Sequence, residues 1–209
     1  YGTPYEDAPF GRITFAPDSN WRDFSDAVLI AAPALALFAP TPDTFQRGGL
    51  IRTGGKKLVI FETLTLTLAL TSTAKNLFQR PRPYALYEPS PEWIGDGRFD
   101  ENIHVSCDPD LGCTFRDRDT FWSFPSGHTS IVTAAGMAFT MTELLTASGK
   151  RRWRWFLLAA PLALGGVVGY ARVKAGVHRP SDVAGGLFLG TTVGLLVPLA
   201  HDRGVRVSP

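Results

Sequence analysis

A chain of 209 residues, 44% hydrophobic and 19% charged, is long enough to bury a sizeable core in a single domain, and this balance argues against a disordered chain. The formal net charge is only +2, and no basic stripe interleaved with aromatics is present, so a nucleic-acid partner is not expected. The charge is unevenly placed: residues 84–120 hold nine acidic side chains against three arginines, leaving the rest basic by 18 to 10.

Residues 1–23 are polar, with Gly, Pro and Asp, and read as an irregular N-terminal arm. The chain starts at Tyr1 without a recognisable signal peptide, and an upstream segment is expected to have been removed. Five apolar segments follow, at 26–40, 57–77, 127–147, 154–172 and 181–200. Each is too long and too evenly apolar for a strand. Several are rich in Ala, Gly, Leu and Thr, as closely packed helices are. Pro81 and Pro83 close the second, Pro125 opens the third, and Pro180 takes the favoured first-turn position of the fifth. The expected fold is an all-α antiparallel helical bundle, one domain over 1–209.

Residues 84–124 form one long acidic loop between the second and third segments. A loop of that length in a compact chain usually serves function. It carries both cysteines, Cys107 and Cys113, in CDPDLGC. Zinc takes four ligands, and no second Cys or His pair sits at finger spacing. Asp108, Pro109 and Gly112 favour a tight turn that could bring the sulfurs together. A disulfide is expected, and it implies an oxidising compartment. Two free thiols are the other reading.

Three clusters carry the chemistry. KNLFQRPRP holds Lys75, Arg80 and Arg82. Alone, these are helix-end cations that complement a C-terminal dipole. FWSFPSGHTS puts Ser126, Gly127 and His128 at the head of an apolar run. Alone, Ser126 reads as an N-cap and His128 as a surface residue. ARVKAGVHRPSD holds Arg172, His178 and Asp182, the last two four residues apart. That spacing lets a carboxylate reach one imidazole nitrogen, fix the tautomer and raise the basicity of the other nitrogen. In an antiparallel bundle all three clusters fall at one end. Together they make an anion site: guanidinium and ammonium groups, plus the backbone N–H groups of a helix N-terminus, around two histidines. Fixed cations stabilise developing charge there without a metal ion.

Lys75-x6-Arg82-Pro83, then Pro125-Ser126-Gly127-His128, then Arg172-x5-His178-x3-Asp182 resembles the three-part signature of the type 2 phosphatidic acid phosphatase and vanadium haloperoxidase superfamily. The motifs touch about a dozen positions, and the helical frame between them spans residues 57–200. The resemblance implies a nucleophile at His178 that forms a phosphohistidine, with Asp182 orienting it. It implies an acid, then base, at His128. Lys75, Arg82, Ser126, Gly127 and Arg172 are implied as the phosphate cradle, with no metal or cofactor and with vanadate as a phosphate-mimicking inhibitor. One position departs from the pattern: the family often has Ser before the last motif's Arg, where this chain has Ala171. One hydrogen bond to phosphate is then missing or supplied otherwise. Arg80 and Arg179 lie nearby and are assigned no role.

Cues on the membrane conflict. Segments 154–172 and 181–200 fall short of the roughly 20 apolar residues a span needs. Glu62 and Glu143 interrupt two others, and mean hydropathy is near zero. Against that, basic clusters gather at the end away from the site, as the positive-inside rule would have it, and Arg152-Trp153-Arg154-Trp155 looks like an interfacial anchor. The expectation is an inner-membrane bundle of the cell envelope with its active site facing the periplasm, and a soluble periplasmic protein is the alternative. The expected function is a metal-independent phosphatase acting on a phosphomonoester or diphosphate of a membrane lipid. Alternatives are a vanadate-dependent haloperoxidase, a soluble non-specific acid phosphatase and a non-catalytic lipid-binding scaffold.

Overall fold

The computed structural model describes residues 19–45, 48–83, 105–108, 112–115, 121–146 and 152–206. Five helices are present there: α1 (Ser19–Phe38), α2 (Gly49–Phe78), α3 (Gly127–Thr146), α4 (Ala159–Lys174) and α5 (Pro180–Arg206). Short 3-10 turns at Pro42–Phe45 and Arg152–Leu158 precede α2 and α4. The all-α bundle expected from the sequence is the fold observed.

Local chemistry sets the helix ends. α2 stops at Gln79, whose left-handed backbone (φ 42°) returns its N–H to the Lys75 carbonyl, and Pro81 cannot continue the helix. α4 stops before Gly176, which takes φ 70° and donates to the Val173 carbonyl at 3.0 Å. α5 begins at Pro180, where a missing N–H costs nothing.

α3 lies at the centre, packed by the other four helices. Its Val132, Ala134, Ala135 and Ala138 are fully enclosed. α3 and α5 approach closely. A Cβ at Gly186 would come within 2.7 Å of the Ser126 carbonyl oxygen, and one at Gly190 would collide with that of Ser130. Small residues are what permit backbones to approach so closely.

The interior is small and hydroxylated, while the outside is large and apolar. Thr63, Thr67, Thr71, Thr129, Ser130 and Thr133 are buried. Thr63 and Thr67 donate back to carbonyls of their own helix at 2.8 and 2.7 Å, which satisfies the hydroxyls locally. Thr71 and Ser130 join α2 to α3 at 3.0 Å. Facing outward are Ile30 (73% exposed), Phe38 (83%), Ile51 (84%), Leu58 (69%) and Phe188 (75%). A water-soluble surface does not carry apolar area on that scale. Four helical stretches are long and apolar enough to cross a membrane: Asn20–Phe45, Gly49–Phe78, Arg154–Lys174 and Pro180–Asp202. These are the proportions of a membrane-embedded bundle.

The conflicting sequence cues resolve physically. The last two stretches run 21 and 23 residues because each helical stretch continues past its apolar centre into flanking polar residues. Glu143 is neutralised by Lys56 at 2.9 Å, and Lys56 also pairs with Asp43 at 2.7 Å. Glu62 meets His201 at 3.2 Å. Intramembrane charges are tolerated when paired in this way. Near-zero mean hydropathy reflects the polar arm and the acidic loop, which dilute the apolar helices.

Two boundaries differ from the sequence reading. α1 begins at Ser19, inside the stretch read as an irregular arm. Asn20, Arg22 and Asp23 look like loop residues, yet they lie in the first turns of α1, with Asn20 and Asp23 exposed. The 84–124 loop contains an antiparallel pair, β1 (Val105–Asp108) and β2 (Gly112–Phe115). Its register sets Cys107 opposite Cys113. The expected disulfide concerns side chains that lie outside the described residues, as do residues 1–18 of the arm and most of the loop.

Candidate active site

Helix ends build the site. The last turn of α2 supplies Lys75, and the irregular residues after it supply Arg80 and Arg82. The turn before α3 supplies Ser123 and Ser126, and its first residues supply Gly127 and His128. Arg172 ends α4, His178 sits in the following turn, and Asp182 lies in the first turn of α5. The Ser126 N–H donates to the Asp182 carbonyl at 2.9 Å, which pins the second and third motifs together. Lys75 lies against Gly127: a Cβ there would sit 3.6 Å from the ammonium, in ordinary contact.

Asp182 is fully enclosed and carries three donors. Its Oδ2 accepts from Ser123 Oγ at 2.5 Å and from the Arg179 N–H at 2.8 Å. Its Oδ1 accepts from Arg80 at 2.7 Å. That guanidinium also donates to Ser181 Oγ at 2.7 Å. A buried carboxylate is stable as an anion only with this degree of satisfaction. His178 is 2% exposed, and its Nδ1 stands 3.7 Å from Asp182 Oδ2. The separation exceeds a hydrogen bond because Oδ2 is already occupied by two shorter donors. The Asp182-facing edge is Nδ1, so Nε2 is the nitrogen turned away from the carboxylate.

Burial drives the His178 imidazole down to about 3; Asp182 opposes that shift, and the Arg82 and Arg172 charges add to it. The ring is therefore neutral, with a free lone pair, across the physiological range. Arg82 and Arg172 are both buried, at 6% and 5% exposure. On the other side, His128 Nε2 lies 2.6 Å from Asp26 Oδ1 of α1, and the same oxygen accepts from Arg172 at 2.9 Å. Arg172 also reaches Ser25 Oγ at 3.2 Å.

The structure thus brings together all eight residues singled out from the sequence: Lys75, Arg82, Ser126, Gly127, His128, Arg172, His178 and Asp182. Among the described residues no group of three or more His, Cys, Asp or Glu gathers as a metal site. Sequence reasoning missed Ser123, Arg80 as a partner of Asp182, and Asp26. Arg80 stood beside a motif residue and read as a spare cation. Ser123 is hidden in an aromatic run. Asp26 sits at the start of an apolar segment, far along the chain from every motif.

A family model described as the PAP2 superfamily matches residues 56–206, and the chain belongs to that superfamily. An undecaprenyl-diphosphatase of Sulfolobus acidocaldarius is 38% identical over 87 residues, which is 42% of this chain and 37% of that protein. Lipid phosphate phosphatase 2 of Arabidopsis thaliana is 32% identical over 145 residues, 65% of this chain and 46% of that protein. The chain therefore spans less than half the length of these two relatives. A crystal structure of Aquifex aeolicus LpxE aligns with 88% of this chain and 89% of its own at a TM-score of 0.49 and 22% identity.

Proposed function

We propose that this chain is a metal-independent phosphatase that removes phosphate from a phosphomonoester or diphosphate of a membrane lipid, through a phosphohistidine at His178. The observation that carries it is the meeting of a buried, neutral His178 with Arg82 and Arg172. Relatives that are lipid phosphate and polyprenyl diphosphate phosphatases support the substrate class, and so does the apolar outer surface.

In this reading the phosphoryl oxygens rest on Lys75, Arg82, Arg172, Ser126 and the Gly127 N–H. His178 Nε2 attacks phosphorus, and the bond to the leaving oxygen breaks. His128 gives that oxygen its proton. As positive charge develops on the imidazole, its Nδ1–H closes on Asp182; catalytic hydrogen bonds that are long in the free enzyme commonly tighten at this point. Water then attacks the phosphohistidine, its proton passes to His128, the N–P bond breaks, and phosphate leaves. Cations fixed in advance lower the barrier because they need not reorganise.

The site faces the periplasm in this reading, away from Arg52, Lys56, Lys57 and Arg154, which occupy the other end as the positive-inside rule requires. A Cys107–Cys113 disulfide is consistent with that side and with their opposed positions across β1 and β2. The test is phosphate release in EDTA from phosphatidic acid, a polyprenyl diphosphate and a lipid A phosphate. Release that survives EDTA, is blocked by vanadate and vanishes in His178→Ala is the expected result. Release that needs a divalent cation, or that persists in His178→Ala, contradicts the proposal.

A further inference from the structure

The family match begins at residue 56, so all of α1 lies outside it, yet α1 places a carboxylate inside the site. Asp26 Oδ1 is 2.6 Å from His128 Nε2 and 2.9 Å from the Arg172 guanidinium. The neighbouring Ser25 is fully buried and also meets Arg172. Trp21, one turn earlier, packs edge-on against Tyr170 of α4, with ring centroids 5.6 Å apart, and this fixes α1 against the helix that carries Arg172. Trp21, Ser25 and Asp26, on two successive turns of α1, thus all meet α3 or α4.

We infer that Asp26 is the positioning carboxylate of His128, so that the site contains two His–Asp pairs rather than one. The inference rests on the phosphatase reading above. With Nε2 committed to Asp26, the neutral ring carries its proton on Nε2, and Nδ1 is the working nitrogen. In the first step imidazolium Nδ1–H gives its proton to the leaving oxygen as the P–O bond breaks, while Nε2–H stays on Asp26. In the second step the Nδ1 lone pair takes the proton of the attacking water. The same Asp26 oxygen holds Arg172, so one carboxylate sets the distance between the proton donor and the phosphate cradle. The charged groups acting on His128 are Asp26 from α1, Lys75 from α2 and Arg172 from α4; Asp26 is the one acid among them.

The leaving group separates this role from a merely structural one. A long-chain alkyl phosphate needs a proton on its leaving oxygen, whereas p-nitrophenolate departs without one. Purified full-length wild type, Asp26→Asn, Asp26→Glu and His178→Ala are compared by kcat/KM on both substrates. Asp26→Asn is expected to lose about 10- to 100-fold on the alkyl phosphate and less than about threefold on p-nitrophenyl phosphate, with partial recovery in Asp26→Glu. Equal losses on the two substrates, no loss, or a gain in kcat/KM overturns the inference; a gain would mean that the carboxylate only competes with phosphate for the cradle. His178-dependent release in wild type alongside an indifferent Asp26→Asn overturns this inference alone. Absence of release from both substrates in wild type overturns the phosphatase reading as well.

Discussion

His178 Nδ1 faces Asp182 Oδ2 across 3.7 Å, with both side chains closed off from solvent. The gap exists because Ser123 and Arg179 hold that oxygen and Arg80 holds the other. Asp182 is thus oriented in advance, and in the proposed mechanism the imidazole has only to gain charge to complete the bond. Preorganisation of this kind places the cost of ordering in folding rather than in the reaction.

Arg80 and Arg82 stand two residues apart and should fail differently. Arg80 acts through Asp182, so Arg80→Ala is expected to lower kcat about 10- to 100-fold and leave KM nearly unchanged. In the proposed reading Arg82 belongs to the cradle and should bind phosphate in both ground and transition states. Arg82→Ala is expected to raise KM, and the inhibition constant for vanadate, at least about tenfold. Steady-state kinetics with a soluble phosphoester checks both. The same kcat-to-KM pattern in the two variants would remove the distinction.

His178 also makes stability depend on acid. Its native pKa of about 3 lies below the ordinary value of 6.5, because burial disfavours the charged ring. Below pH 6.5 the unfolded chain takes up a proton that the native chain refuses. The contribution of His178 is flat above that pH, and native stability falls as the pH drops from about 6.5 towards 3, by about 1.4 kcal/mol per unit. Thermal unfolding in detergent should show a steeper acid slope for wild type than for His178→Asn. Parallel slopes would contradict the burial argument.

The α3–α5 contact gives a packing prediction with its own control. A Cβ at Gly190 would meet the Ser130 carbonyl and Thr133, whereas one at Gly166 on α4 meets nothing within 4 Å. Gly190→Ala should lower the melting temperature and reduce activity, since Ser130 lies one turn from Ser126. Gly166→Ala should be neutral or stabilising by about 0.5–1 kcal/mol through helix propensity. Equal melting temperatures for the two variants would mean the close approach is absent.

Much of the bundle is legible in the sequence, because apolar runs bounded by Pro81, Pro125 and Pro180 mark helices whatever their tertiary partners. Motif residues are legible because each cluster joins unusual types at short range, as His178 and Asp182 do. Asp26 and Ser123 are not, since their role arises from which helix ends meet, and short-range patterns carry no record of that. The start of α1 was obscured because its first turns carry the polar Asn20, Arg22 and Asp23, which imitate a loop. The β1–β2 pair was obscured because four-residue strands leave too little alternation to detect. Membrane embedding was ambiguous in the average and becomes plain once large apolar side chains are seen outside and threonines inside.

The central claim is that phosphorus is transferred to His178. Labelled phosphate carried on the substrate, followed by rapid quenching in alkali and mass analysis of the peptide spanning the α4–α5 turn, tests it directly. With labelled p-nitrophenyl phosphate, whose leaving group needs no proton, the account predicts an acid-labile, alkali-stable phosphoryl group on His178 that accumulates in His128→Ala, where water activation is lost, and that is absent in His178→Ala. Phosphate release by wild type with no label on His178 in any of these proteins would contradict it.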